Sequence, residues 1–225
     1  MELKNINIEC DGYVSYYNAK SAITNTNKMI FENSQISVIS NNSGDLRGIY
    51  NSGNISINNV EINLTKETNN GILSGIYQGS GVIEYANSII NVSTGSTVHG
   101  IYVYNGDVLL KSGTISAQNS KTSYGIYIEN GTVTMGEKED ESGTNYGTIN
   151  ADVSVTNPSI KAISNTFGIG VKRVNGYFNY YDGIITGSTN AKPDVTSTVE
   201  YKYQVENHVD PTTGYEYCIL EYMKE

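Results

Sequence analysis

The side chains able to do bond-breaking chemistry in this chain are few and scattered. There are two histidines, His99 and His208, two cysteines, Cys10 and Cys218, and two arginines, Arg47 and Arg173. A zinc site or a nucleophilic triad needs such groups side by side, and the two histidines are far apart along the chain. Glycoside hydrolysis needs two carboxylates about 5–5.5 or 6.5–9.5 Å apart. A lyase acting on an acidic sugar needs clustered Asp or Glu for a cation, plus a Lys or Arg base. The acidic run Glu137, Glu139, Asp140 and Glu141 reads as a solvated loop rather than a cation site. What does recur is tyrosine, used 19 times against three Phe and no Trp. Tyr50, Tyr77, Tyr102 and Tyr127 each end a Gly-Ile-Tyr tripeptide, and Tyr104 stands two places beyond Tyr102.

The elements that position these tyrosines follow from their spacing. The tripeptides begin at Gly48, Gly75, Gly100 and Gly125, so successive copies are 27, 25 and 25 residues apart. A repeat of that length is the mark of a solenoid. With Ile23, Ile49, Ile76, Ile101 and Ile126 set in one column, a small turn follows each, such as Asn105-Gly106 or Asn130-Gly131. An alternating pair comes next: Met29/Phe31, Ile55/Ile57, Ile83/Tyr85, Val108/Leu110 and Val133/Met135. After a second turn a further pair appears: Ile36/Val38, Ile62/Leu64, Ile90/Val92 and Ile115/Ala117. Three short strands with period-two patterning per repeat, separated by polar corners, make one coil of a parallel β-helix.

The expected fold is therefore all-β: a right-handed parallel β-helix of about six coils. The uneven coil length favours the right-handed type, because left-handed helices keep a stricter hexapeptide rhythm. Ile6, Ile8 and Tyr13 read as a partial first coil, and strands resume after the acidic loop at Val153/Val155 and Ile160. Phe167-Gly168-Ile169-Gly170-Val171 reads as a degenerate further copy of the tripeptide. The alternation of Val199, Tyr201, Tyr203 and Val205, a turn at Asp210–Gly214, and Tyr215, Tyr217 and Ile219 predict a β-hairpin. The chain divides on this reading into a β-helix over 1–187 and a C-terminal hairpin cap over 188–225, which covers strand edges that a solenoid end leaves open.

Alternation then predicts what faces outward. With each isoleucine inward, the glycine before it and the tyrosine after it point out, and the glycines leave room beside the rings. Tyr50, Tyr77, Tyr102 and Tyr127, with Tyr104, would form an exposed column with rings about 5 Å apart, the spacing of neighbouring strands. Such a column either stabilises the face by stacking or offers an aromatic strip to sugar rings or to a protein partner. No two acids share a column on neighbouring coils. Glu84 aligns with Ser56, Leu109 and Thr134, Glu61 with Ile89 and Thr114, and Glu129 with Tyr104, while Asp107 and Asp45 stand alone. No catalytic residues, metal ligands or cofactor follow, and the expectation is a non-enzymatic protein.

Charge and composition narrow the partners. A formal net charge of −9 leaves no basic stripe to displace counterions from phosphates, which argues against nucleic acid. No run of 18 apolar residues suggests membrane insertion. The cysteines lie near opposite ends of the solenoid, beyond the reach of a bridge, so both are expected as free, buried thiols. Asn54-Ile-Ser, Asn63-Leu-Thr, Asn91-Val-Ser and Asn130-Gly-Thr fit the glycosylation pattern but are chance matches in so Asn-rich a sequence. The chain opens in mid-repeat, and the expectation is a monomeric segment excised from a larger exported protein.

The Gly-Ile-Tyr coils, the passage from Thr132-Val-Thr-Met-Gly-Glu-Lys-Glu-Asp to Val155-Thr-Asn-Pro-Ser-Ile160, and Phe178-Asn-Tyr-Tyr-Asp-Gly-Ile-Ile-Thr-Gly187 resemble repeats in adhesin-like surface proteins of low-GC Gram-positive bacteria. The likeness covers Ile23 to about Gly187. More broadly, the pattern is similar to the pectate-lyase-like superfamily of right-handed β-helices. The resemblance implies an extracellular or bacterial cell-surface location and brings no catalytic residues with it. The functional expectation is an adhesin-like or stalk-like module contacting a host or environmental glycan, or a surface protein, through the tyrosines. Its rivals are a polysaccharide lyase or glycoside hydrolase, and a self-assembling structural repeat.

Overall fold

The computed structural model describes residues 1–11, 20–41, 44–68, 70–119, 121–136, 159–164, 166–198 and 203–222. Tyr13, the acidic run at 137–141, Val153, Val155, Val199, Tyr201 and the side chain of Cys10 lie outside the described residues. The chain opens with β1 (Glu2–Lys4) and β2 (Asn7–Asp11). Two coils follow, β3 (Lys20–Asn25) then β4 (Lys28–Ser40), and β5 (Leu46–Asn51) then β6 (Asn54–Lys66), in which β4 and β6 each run on across a corner as one long strand. Then come β7 (Ile72–Gln78), β8 (Val82–Ala86) and β9 (Ser88–Ser93), followed by β10 (Thr97–Val103), β11 (Asp107–Leu110) and β12 (Gly113–Asn119). The next coil is β13 (Thr122–Ile128), β14 (Thr132–Met135) and β15 (Ser159–Ser164), and the last full one is β16 (Phe167–Arg173), β17 (Tyr177–Tyr180) and β18 (Ile184–Gly187). A short β19 (Ser197–Thr198) and the pair β20 (Tyr203–Val209) and β21 (Glu216–Tyr222) end the chain.

Pairing makes this a parallel β-solenoid with three faces. One face stacks β3, β5, β7, β10, β13 and β16 in that order, six rungs for six coils. A second runs β6, β8, β11, β14, β17 and β19, and a third runs β6, β9, β12, β15 and β18, with β4 and β6 belonging to both. No helix occurs among the described residues. The fold is that of a parallel β-helix of about six coils.

The inward columns are those the alternation predicts. Met29 pairs with Ile55, Ile55 with Ile83, Ile83 with Val108, Val108 with Val133 and Val133 with Phe178. Ile36, Ile62, Ile90, Ile115, Ile160 and Ile185 form a second column, and Ile23, Ile49, Ile76, Ile101, Ile126 and Val171 a third. All of these are buried in one continuous core. Each buried aliphatic contributes about 1.5–3 kcal/mol, which no coil could collect alone. The degenerate repeat is in register as Gly170-Val171-Lys172, with Lys172 where the tyrosine stood.

Alternation breaks at the tripeptide glycines, and this corrects the expectation that they face outward. Arg47 pairs with Ser74 and Ile49 with Ile76, but the glycine between has no Cα partner in the register. In β5, Leu46, Gly48 and Ile49 are all buried, while Arg47 and Tyr50 are partly exposed. A Cβ built on Gly48 would lie 2.8 Å from the Ile62 side chain and 2.6 Å from the Gly75 carbonyl oxygen. On Gly100 it would lie 2.1 Å from Ile115. The glycines therefore make room for the core isoleucines of the third face, not for the rings, and they bend each strand where two successive residues turn inward.

The corners carry polar ladders that hydropathy does not reveal. Asn25 donates to the Asn51 side-chain oxygen at 2.6 Å, and Asn51 donates to Gln78 at 2.7 Å, inside the protein. Gln78 closes the row on the carbonyls of Ser80 and Gly81, each at 2.9 Å. Further along, the same column holds Val103 and Ile128. Lys66 is 1% exposed. Its ammonium donates to the Gly44 carbonyl and, at 2.7 Å, to that of Asn70. Burial lowers its pKa, and the charge of Asp45 opposes the shift.

At the C-terminal end the solenoid path runs across 187/188. Asn190 bridges to Ile169 and β19 pairs with β17, both in parallel. β21 then pairs antiparallel with β18 and with β20, which covers the last edge of the third face. Cys218 on β21 is a free thiol, buried and pushed up to about 12 by burial.

Candidate functional site: the tyrosine face

The register places the sequence-predicted tyrosines in one row on the six-stranded face. Tyr50 pairs with Tyr77, Tyr77 with Tyr102 and Tyr102 with Tyr127. Ring centroids are 5.5, 5.0 and 5.3 Å apart, with interplanar angles of 21°, 16° and 4°. Tyr104 joins from the side, 6.5 Å from Tyr77, and at 48% exposure it is the most open ring of the set. The other four are partly buried. Stacking at one-rung spacing turns the faces of the inner rings toward each other. The row therefore offers ring edges and phenol hydroxyls, with Tyr104 as its open platform.

The row has partners that strict alternation hides. The inward glycine makes the residue three before each tyrosine face outward with it, so Arg47, Ser74, His99 and Tyr124 form a second column beside the first. The guanidinium of Arg47 lies 3.9 Å from the centre of the Tyr77 ring and 5.4 Å from that of Tyr50, a cation–π contact. His99 stacks on Tyr124 at 5.5 Å and meets the edges of Tyr102 and Tyr127 at 5.1 and 5.5 Å. The Ser74 hydroxyl is 3.4 Å from its Nδ1. Covered by these rings, His99 is 4% exposed, and burial lowers its pKa to about 3, so it is neutral.

Glu129 completes the face. Its carboxylate accepts a hydrogen bond from the Tyr102 hydroxyl, reaching back one coil. Burial raises the Tyr102 pKa, and the hydrogen bond and charge of Glu129 raise it further. Burial also raises Tyr77, offset by Arg47, and raises Tyr124 with help from Tyr127. All three phenols are therefore held in the protonated form, with the Tyr102 proton already donated to Glu129. The signal for Arg47, His99 and Tyr124 was their shared offset of three residues. For Glu129 it was the alignment with Tyr104.

The remaining acids sit in the columns that spacing predicts. Glu84 lies between Ser56 and Leu109 and pairs with Lys111 at 3.6 Å. Glu61 lies between Gln35 and Ile89, and Asp107 between Val82 and Thr132. The carboxylate of Asp45 accepts from the backbone N–H of Ile72 at 2.9 Å. Among the described residues, no three of His, Cys, Asp and Glu gather as metal ligands would.

Comparison of the chain with protein-family models, with curated proteins and with solved structures gives no match in any of the three.

Proposed function

We propose that this chain is a non-enzymatic recognition module of a bacterial cell-surface protein, adhesin-like or stalk-like, that contacts a glycan along its tyrosine face. The observation that carries this reading is the row Tyr50–Tyr77–Tyr102–Tyr127 with Tyr104 beside it. It presents phenol hydroxyls at a repeat near 5 Å, the strand spacing, the one on Tyr102 tied to Glu129, and one open ring for a sugar's C–H face. A linear polymer is the ligand whose own period suits such a row. The extracellular placement rests on the resemblance of the repeats to surface proteins.

The test is a panel of host and plant glycans on which binding and release of reducing ends are scored together. The expected result is binding without cleavage. It should weaken about tenfold or more, at least 1.4 kcal/mol, in Tyr104→Ala and in Tyr77→Ala/Tyr102→Ala, with Tyr104→Ala leaving the melting temperature unchanged. Release of reducing ends would replace this reading with an enzymatic one. Binding to nothing on the panel would leave the ladder a purely structural device.

A further inference from the structure

A second surface, remote from the tyrosines, has the chemistry of a ligand groove. It runs along the corner between the second and third faces, where Asn5, Asn33, Asn59 and Asn87 take φ values of 54°, 49°, 53° and 48°. Asparagine tolerates this left-handed conformation better than most residues. The bend it makes leaves a groove of ≈550 Å³ on the outside of the solenoid, lined by Asn33, Gln35, Asn59, Glu61, Asn87 and Ile89 among others.

The groove's polar groups are ordered by one another. Asn59 donates to the Asn33 side-chain oxygen at 2.8 Å, and Asn87 donates to that of Asn58 at 3.1 Å. The Ser112 hydroxyl donates to Asn87 at 3.0 Å. Glu61 accepts from Gln35 at 3.2 Å and from Asn63 at 2.8 Å. These bonds fix the amides without exhausting them. A carboxylate has about four acceptor sites and an amide nitrogen two donors. Among the described residues Glu61 has no cationic partner, and the Asn33 amide nitrogen donates to nothing. Ile89, 43% exposed, gives the groove an apolar patch.

Those features select a ligand class. Strands β4, β6, β9 and β12 are already paired along the corner. A peptide strand could therefore join only at the solenoid's end, beside β1 and β2, which pair with β4 alone among the described residues. One carboxylate is too few for a calcium site, which takes 6–8 oxygens. Glu61 and the net charge of −9 disfavour anions. Fixed amides that both donate and accept, beside a small apolar patch, match a pyranose with hydroxyls at its rim and C–H groups on its face. The rungs repeat at about 4.8 Å, close to the length of one sugar unit in an extended chain.

We infer that the asparagine corner is a second carbohydrate site, separate from the tyrosine face, that takes a neutral, unbranched oligosaccharide along the solenoid axis. Two sites on different faces would let one molecule hold two chains, or two stretches of one.

The test is an NMR titration of the folded chain with the neutral oligomers cellohexaose, xylohexaose and mannohexaose, with a uronate hexamer as the charged control. The expected result is a shift of the Asn33, Asn59 and Asn87 side-chain amide signals with at least one neutral oligomer and not with the uronate. Asn33→Gly/Asn59→Gly keeps the left-handed corners and removes the amides, so it should weaken that binding about tenfold or more. Ile89→Ser, on an exposed position, is the second variant should the first fail to fold, and it too should weaken it. Tyr77→Ala/Tyr102→Ala should leave these shifts intact, which separates this site from the tyrosine face. Silence of the amide signals with every neutral oligomer, an equal response to the uronate, or unchanged affinity in the folded corner variants would overturn the inference while leaving the tyrosine reading to its own test.

Discussion

His99 shows how one residue ties the tyrosine face to stability. In the fold it is neutral, with its pKa lowered to about 3 by burial, whereas an unfolded histidine titrates near 6.5. The unfolded chain thus binds the extra proton between these values. The contribution is fully present above about pH 6.5 and is lost as pH falls toward 3, on the order of 5 kcal/mol over the whole window. Thermal melts from pH 7 to pH 4 should show a falling midpoint in the native chain and a flatter profile in His99→Phe. Parallel profiles would mean that other groups set the acid limit. The buried row Asn25–Asn51–Gln78 gives a second residue-scale expectation. Asn51→Ala orphans the buried Gln78 side-chain oxygen at about 1–3 kcal/mol, while the Asn25 nitrogen keeps the Asn27 and Asn54 carbonyls, for a drop of several degrees in Tm. Replacing all three by valine, which already occupies the column at Val103, should cost less than the single change, because no buried side-chain amide is stranded.

At the scale of elements, the strands were legible in the sequence and the reasons are visible in the columns. Period-two aliphatics separated by Asn and Gly turns gave β4 to β14 with inward sets that match the core. What stayed hidden follows from the glycine bend. Strict alternation puts Gly48 outside and says nothing of Arg47, yet the bend turns Gly48 in and brings Arg47 onto Tyr77. Buried amides were equally invisible, because Asn25 and Asn51 look like ordinary turn residues. The asparagine corner is assembled from separate coils, and no single coil announces it. The C-terminal hairpin was legible from its turn. There Asp210 accepts from the N–H groups of Thr212 and Thr213 at 2.7 and 3.2 Å, and Gly214 takes φ 70° in open space. Gly214→Ala should therefore cost roughly 1 kcal/mol through backbone strain alone, about 2–4 °C in Tm. Gly214→Asn should lose less. A calorimetric comparison of the two checks whether conformation, not contact, sets the requirement.

For the molecule as a whole, stability is a sum of coils and the contacts between them. Each rung depends on the next for its backbone bonds, and the ends are the vulnerable places. β21 protects one of them by pairing antiparallel with β18, a direction that no further parallel rung can continue. The 25-residue period between Gly100 and Gly125 allows a direct check of additivity. Excising 101–125 joins Gly100 to Ile126 and sets Tyr77 beside Tyr127, Ile76 beside Ile126 and Ile90 beside Ile160. The shortened chain should still melt cooperatively with β-sheet circular dichroism, at a somewhat lower Tm. A molten product would show that the coils are not interchangeable.

That interchangeability reaches beyond the folded state to the gene. Because Gly75, Gly100 and Gly125 occupy equivalent places at equal intervals, a slipped recombination that gains or drops 75 nucleotides keeps both the reading frame and the hydrogen-bond register. Length then becomes a heritable variable: the protein can be drawn out or shortened by whole steps, and each step adds or removes one tyrosine from the row without redesigning either end.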